Sequence, residues 1–248
     1  VMDMTPNGAM NNGGTAGYHY LELMPQELEM VDYVKDTFEN VILLVNTPMA
    51  IELGFVDGEE NADGTGNIDS VLWIGMPGST GNRAVARALT GDIVPSGRTA
   101  DVWAREVESA PTYYNFGDYT YENTRYKYVH YEEGIYYGYR WYETANAVAT
   151  ESNGLEITAS NYQDVEKTFD FSDYDSVVQY PFGYGLSYST FEIAFDGQPV
   201  YDDDTATFTF NVSVTNTGDV AARTPVELFV ETPYDPDEGI EKAKVTLA

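Results

Sequence analysis

The sequence predicts an α/β fold with a mainly parallel sheet flanked by helices over residues 18–110, and an all-β segment over residues 189–248. A continuous apolar run at 41–45, without alternation, is typical of a strand buried under helices. Predicted helices and strands alternate up to residue 110, and apolar residues alternate from residue 191 onward. The 248 residues are 43% hydrophobic, which is enough for a sizeable core.

The first predicted helix begins at Pro25, because proline suits the first turn and Glu27 and Glu29 lie near the positive helix end. Apolar residues recur at helical spacing as far as Phe38, and Asn40 then marks the end of the predicted helix. The pattern therefore indicates a helix before the first strand.

Two inner strands are predicted at 41–45 and 71–74, because both segments are apolar without alternation. A polar, glycine-rich loop lies between them, at 57–67. A second helix is predicted at 78–89, and Gly91 suits its C-cap.

Residues 111–188 show little periodicity, and eleven tyrosines lie between Tyr113 and Tyr142. Because disordered chains are poor in aromatic residues, we expect ordered long loops and short strands there.

From 189 onward, alternating runs at 191–195, 208–214 and 226–230 predict antiparallel strands, with a turn at 216–219. Three or four strands are fewer than the roughly seven of a complete sandwich. We therefore expect this second domain to be partial and to be completed elsewhere in a longer polypeptide.

The net charge of −29 disfavours binding to nucleic acids or to anionic membranes, which are themselves negatively charged. No apolar run reaches the length of a membrane span, and no signal peptide is recognisable near Val1. Cysteine is absent, which excludes disulfides, zinc–thiolate sites and cysteine nucleophiles.

Two loops have the composition of ligand sites. Gly75–Gly81 has the position of a phosphate-binding loop, but its spacing fits no nucleotide motif, so a tight strand-to-helix turn is favoured. A calcium-binding loop takes its ligands from acidic and amide side chains at fixed positions. If Glu59 is position one of such a loop, position twelve, where a bidentate carboxylate belongs, is Ser70. A solvated acidic loop is therefore favoured over a calcium site. The calcium candidates are Asp57, Glu59, Asn61, Asp63 and Gly64.

Histidines and paired glutamates provide the other candidates for catalysis. No G-x-S-x-G motif accompanies His19 or His130, so packed or surface histidines are favoured over a catalytic triad. Glu132 and Glu133 are adjacent and point apart in extended structure, so pairing of one with Arg140 is favoured over acid/base work. We therefore predict no catalytic residue, no metal ligand and no cofactor in this chain, and its substrate-binding residues are left open.

Several collinear motifs resemble glycoside hydrolase family 3. Residues 131–142 resemble the family's Y-x-E-G-I-x-x-G-Y-R-Y-Y signature, and 181–191 resemble P-F-G-Y-G-L-S-Y-T-x-F. Residues 95–98 resemble the last four residues of N-P-S-G-R, with Val94 in place of the asparagine. Further similarities lie at Tyr20–Leu23, 26–28, 41–46 and Glu241–Ala243, and the resemblance covers nearly the whole chain.

The resemblance implies an α/β sandwich domain at 1–188, of the kind C-terminal to the barrel in this family, and part of a fibronectin-III-like domain at 189–248. The family's nucleophile is an aspartate on a (β/α)8 barrel, which this chain lacks. Its acid/base glutamate often lies shortly before the motif that Tyr20–Leu23 resembles. Between Val1 and Tyr18 the only carboxylate is Asp3, to which we do not transfer the role. We expect the glutamate upstream of Val1, unless the fragment has lost it.

The resemblance further implies a retaining β-glycosidase, most often a β-glucosidase, with β-xylosidases and N-acetylglucosaminidases as other family activities. The expected partners are a β-glucoside or short β-linked oligosaccharide and a catalytic barrel, in the same polypeptide or in a companion chain. The motifs are similar to those of bacterial members, some of which place these domains before the barrel. The chain alone is expected to be inactive. The alternative is a non-catalytic carbohydrate-binding or scaffold module.

Overall fold

The computed structural model describes residues 21–57, 66–115, 119–120, 123, 125–129, 131–151, 156–160, 166–233 and 239–248. They divide into two compact units. The first contains the described parts of Val1–Met76, Ala100–Phe182 and Phe229–Ala248. The second contains Pro77–Thr99 and Gly183–Leu228. The division into domains 1–188 and 189–248 stays a prediction.

Helices and strands are mixed along the described chain, which confirms the α/β class. The helices are α1 (Pro25–Thr37), α2 (Gly78–Leu89), α3 (Pro111–Asn115), α4 (Tyr139–Glu151) and α5 (Tyr174–Val177), with 3₁₀ turns at Gly54–Val56 and Val107–Ser109. The first eight strands are β1 (Ile42–Val45), β2 (Ser70–Trp73), β3 (Trp103–Ala104), β4 (Tyr119–Thr120), β5 (Lys127–Tyr128), β6 (Glu156–Ser160), β7 (Glu166–Asp170) and β8 (Val178–Tyr180). The others are β9 (Phe191–Phe195), β10 (Val200–Asp202), β11 (Thr207–Thr209), β12 (Val212–Asn216), β13 (Phe229–Glu231) and β14 (Val245–Leu247).

Strands β1 and β2 pair in parallel, with Ile42 opposite Ser70 and Val45 opposite Trp73, as the sequence predicts. The prediction that both strands are buried on both faces is wrong. Val45 packs in a core with Leu53 and Trp103, whereas Ile42 is 54% exposed and Leu44 38% exposed. Alternate side chains of a strand point to opposite faces, and only one face meets this core. The other described strand pairs run antiparallel.

Helix α4 corrects the expectation of loops and short strands over 111–188. Tyr142, Ala145 and Ala149 are spaced by three and four residues and are buried on one face of the helix. They belong to the larger core of the first unit, together with Val102, Phe169, Phe171, Val177 and Val178. This spacing was present in the sequence, but the tyrosine-rich segment before it obscured the helical period.

The second unit contains α2, which has the predicted bounds. The Gly91 amide donates to the Ala88 carbonyl, and Gly91 has a φ of 78°, as expected of a C-cap glycine. Strands β9 and β12 pair antiparallel, with Phe191 opposite Asn216. The side chain of Asn216 accepts a hydrogen bond from the Gly218 amide at 3.0 Å, which closes the predicted turn.

Two predicted strands have different bounds in the structure. The run at 208–214 divides between β11 and β12, and within 226–230 only the end enters a strand, β13. Alternation alone did not show these breaks, because Phe210 continues the apolar pattern between the two strands.

Among the described residues, no helix is both long enough and apolar enough to cross a membrane.

Candidate functional site

Several candidate residues lie outside the described residues: Asp3, the histidines His19 and His130, and the calcium-loop residues Glu59, Asn61, Asp63 and Gly64. The described member of the calcium loop is Asp57. One of its carboxylate oxygens accepts a hydrogen bond from Arg105, and Gln179 approaches the other at 3.3 Å. Protein groups therefore hold this carboxylate on both oxygens.

The geometry of the Gly75–Gly81 loop supports a tight turn. Gly75 and Gly78 have φ values of 58° and 63°, in the left-handed region that favours glycine. A Cβ atom at Gly81 would lie 2.8 Å from the Cβ atom of Pro77, so the first turn of α2 needs a small residue there.

The acidic–aromatic block at 131–142 forms a turn followed by the start of α4. The guanidinium of Arg140 lies 5.7 Å from the centre of the Tyr137 ring and 5.9 Å from that of Tyr139. Among the described residues, the contacts of Arg140 are with tyrosines and include no ion pair with Glu132 or Glu133, so the predicted pairing is wrong. Because the segment is not extended, Arg140 is turned onto tyrosine rings, where a cation–π interaction replaces the ion pair.

This block meets the Glu241–Ala243 motif within the first unit. The hydroxyl of Tyr136 donates to the Lys242 carbonyl at 3.4 Å. The Lys244 amide donates to the Thr144 hydroxyl at 2.9 Å, and the Leu247 amide donates to the Tyr139 hydroxyl at 3.0 Å. Hydrogen bonds therefore fix the last described segment to α4.

Two other motifs meet within the second unit. The Gly183 amide donates to the Thr99 carbonyl, and the Thr99 amide donates to the Tyr184 carbonyl, both at 2.8 Å. This pairing brings Gly185 against 97–98, where a Cβ atom would lie 2.6 Å from the Gly97 carbonyl oxygen. Close backbone approach therefore explains why glycine is needed at position 185.

Replacing Gly185 by alanine is expected to lower the free energy of unfolding by about 2–3 kcal/mol, because the added methyl group overlaps backbone atoms. Gly97→Ala is the matched control, since a Cβ atom there meets no atom within 4 Å. The control should change stability by no more than about 1 kcal/mol. Urea unfolding followed by circular dichroism measures both, and equal transition midpoints would contradict the proposed overlap.

A cavity of about 270 Å³ lies in the first unit. Its lining is mostly apolar but includes Glu52, Asp101, Thr112 and Tyr142. Burial raises the pKa of Tyr142, the hydrogen bond between its hydroxyl and that of Ser109 opposes this, and the charges of Asp101 and Glu52 raise it further. Tyr142 therefore stays protonated at neutral pH. With two carboxylates in the lining, the cavity suits a hydroxyl-rich or cationic molecule better than an anion.

Three glutamates meet beside this cavity: Glu52, Glu106 and Glu108 each have a carboxylate oxygen within 4.8 Å of the others'. Lys167 approaches Glu106 at 2.5 Å and Glu108 at 3.4 Å. Burial alone would lower the pKa of Lys167, but the hydrogen bond to Glu106 and the glutamate charges outweigh burial and raise it. Sequence reasoning missed this cluster, because folding brings Glu52 to a pair that is distant in the chain.

Comparison with known proteins gives the class to which this fold belongs. The family model of the glycosyl hydrolase family 3 C-terminal domain matches residues 9–139, which is more than half of the chain. The chain therefore belongs to this family, and the resemblance of its motifs is confirmed.

Curated relatives and a solved structure agree with the family match. The chain is 27% identical to a β-glucosidase from Ruminococcus albus over 233 residues, which cover 94% of the chain and 20% of that protein. It is 30% identical to β-glucosidase A from Butyrivibrio fibrisolvens, covering 84% of the chain and 22% of that protein. A β-glucosidase structure from Paenibacillus barengoltzii superposes with a TM-score of 0.63 and 27% identity, over 92% of the chain and 20% of that structure. The chain thus spans about a fifth of the length of these proteins.

Proposed function

We propose that this chain is part of a retaining β-glycosidase that hydrolyses terminal β-linked glucosyl residues. In this proposal, the domain completes an active site whose nucleophile lies on a barrel outside the chain. The main support for this proposal is that the chain belongs to the family. In addition, the two relatives that match 94% and 84% of the chain are named β-glucosidases.

Retaining hydrolysis needs two carboxyl groups about 5–5.5 Å apart on either side of the scissile bond. Several described carboxylates already have structural partners: Asp57 binds Arg105, Glu106 binds Lys167, and Glu143 accepts from the Tyr174 hydroxyl. These partners favour structural roles for the three carboxylates. These three carboxylates are therefore poorly placed to act as the catalytic pair, which the proposal puts outside this chain.

The tyrosine-rich surface has two possible roles in the complete protein. Tyr131 is 81% exposed, and Tyr126 and Tyr137 are also exposed. Such rings either pack against the barrel or stack on sugar faces in outer subsites. Packing against the barrel is favoured, because most aromatic residues of a domain serve packing.

The complete polypeptide, this chain joined to its barrel, is expected to hydrolyse p-nitrophenyl β-glucoside. The reason is that the barrel supplies the nucleophile that this chain lacks. Release of p-nitrophenolate measures the rate, with the β-xyloside and the N-acetyl-β-glucosaminide as comparison substrates. Failure to hydrolyse any β-glycoside would contradict the proposal.

A non-catalytic carbohydrate-binding module is the alternative, and the cavity beside Glu52 and Asp101 favours it, because carboxylates accept hydrogen bonds from sugar hydroxyls. Calorimetric titration of this chain with glucose distinguishes the two proposals. Saturable binding without the barrel, combined with an inactive complete protein, would favour the binding module.

A further inference from the structure

We infer that the cavity of the first unit binds a small uncharged phenol or alcohol, with the hydroxyl group of the ligand at the polar end of the cavity and its apolar body against the aliphatic lining. The inference concerns binding by this chain alone and does not depend on the proposed hydrolysis. The cavity has a volume of about 270 Å³. An apolar protein cavity of about 150 Å³ is large enough to bind benzene. This cavity therefore has room for a single ring that carries a polar substituent.

Three residues of the lining form what we call the polar end of the cavity: Glu52, Asp101 and Tyr142. The charges of both carboxylates act on the Tyr142 hydroxyl, so the three polar groups lie near one another. Most of the remaining lining is aliphatic and includes Leu21, Ile51, Val102, Val107 and Ala110. A ligand that fits this lining has one polar end and an apolar body.

The side chains of the polar end act as hydrogen-bond acceptors. The Ser109 hydroxyl donates its one proton to the Glu106 carbonyl at 2.6 Å. The Tyr142 hydroxyl lies 2.9 Å from the Ser109 hydroxyl, so Tyr142 is the donor in that pair. The Tyr142 oxygen can then accept a further hydrogen bond, and ionised carboxylates also accept. The ligand therefore has to bring a donor, which a hydroxyl group supplies.

A neutral hydroxyl group suits the polar end better than an ammonium group. The Glu52 carboxylate already accepts a hydrogen bond from the Val107 amide at 2.7 Å. Its charge also interacts with the Lys167 ammonium, which partly balances it. A second ammonium would be repelled by Lys167 and would lose its hydration on entering the aliphatic lining. The cavity therefore favours an uncharged donor.

A molecule with one hydroxyl group also fits the cavity better than a sugar does. Aliphatic side chains offer no partners to the other hydroxyl groups of a sugar, and a buried hydroxyl group without a partner costs free energy. An apolar body gains free energy from burial against the same side chains. Tyr113, which is 4% exposed, adds an aromatic ring to the lining. Phenol is therefore the simplest ligand that meets these conditions.

The test is a proton nuclear magnetic resonance titration of the 248-residue chain with phenol at pH 7, where a phenol is uncharged. The buffer contains 0.15 M NaCl, which screens binding of cations to the acidic surface. We expect one saturable site. Toluene has a methyl group in place of the hydroxyl group and should bind at least fivefold more weakly, because it brings no donor to the polar end. Benzylammonium and glucose should also bind more weakly than phenol.

Ala110→Leu places a larger side chain in the lining of the cavity and should weaken phenol binding at least tenfold. Ala86→Leu is the matched control and should leave phenol binding unchanged, because Ala86 is an exposed residue of α2 in the second unit. Ala50→Leu provides a second cavity-filling variant if Ala110→Leu fails to fold by circular dichroism.

Absence of a saturable phenol site in the unmodified chain would overturn the inference. Binding of toluene, benzylammonium or glucose as tightly as phenol would overturn it too. So would equal phenol affinities for the Ala86 variant and a folded cavity-filling variant. These outcomes concern this chain alone, so failure of the inference leaves the proposed hydrolysis by the complete polypeptide untouched.

Discussion

Replacing Phe171 by alanine is expected to lower the free energy of unfolding of the first unit by about 3–5 kcal/mol. Phe171 is 1% exposed and lies at the centre of the larger core. Its ring centre is 5.4 Å from that of Trp141 and 6.2 Å from that of Tyr142, so removing it leaves a cavity lined by large side chains. Urea unfolding followed by circular dichroism and by tryptophan fluorescence measures the change.

Phe38→Ala is the matched control within the same unit. Phe38 directly follows α1 and is 54% exposed, so its removal should cost less than about 1 kcal/mol. If both variants lose the same stability, the assignment of Phe171 to the centre of the core is wrong.

Separating this chain from its barrel is expected to abolish hydrolysis of p-nitrophenyl β-glucoside, with a loss of at least about a thousandfold relative to the complete polypeptide. Each catalytic carboxylate contributes orders of magnitude to the rate, and by the proposal both lie outside the chain. The measurement compares the purified chain with the complete polypeptide at equal molar concentration.

Glu132→Gln and Glu133→Gln in the complete polypeptide are the controls for this comparison. Both lie in the turn before α4, and we expect both variants to keep the activity of the unmodified protein. Turnover by the isolated chain would contradict the proposal. If one of these substitutions in the isolated chain then abolished that turnover, the altered glutamate would be an unrecognised catalyst.

Segments with a clear apolar pattern, or with proline or glycine at their ends, were predictable from the sequence. Pro25 begins α1, and Gly91 closes α2, because each residue has a backbone preference that acts within one turn. The parallel pairing of 42–45 with 70–73 followed from two apolar runs that flank a loop. These predictions succeeded because the information lies in short stretches of chain.

Burial and long-range contacts were less predictable. An apolar run does not show which face meets a core, and Ile42 is exposed although Val45 is buried. Likewise, the sequence marked Arg140 as charged but gave no sign that its guanidinium would lie over tyrosine rings. Such outcomes depend on the path of the whole chain.

Some features of the candidate site were likewise predictable from the sequence, and others were not. Motif resemblance indicated the family, which the family model confirms. It did not indicate that 181–191 pairs with the segment around Thr99, or that Glu52 meets Glu106 and Glu108. These contacts join residues that are far apart in the chain, and a single sequence carries no direct signal of them.

The anomer that is released first shows whether this domain serves a retaining β-glycosidase. Proton nuclear magnetic resonance of the complete polypeptide acting on p-nitrophenyl β-glucoside should show β-glucose before α-glucose appears by mutarotation. Retention is expected because, in the proposed function, a nucleophile on the barrel would form a covalent glycosyl–enzyme intermediate. Initial release of α-glucose would show inversion and contradict the account.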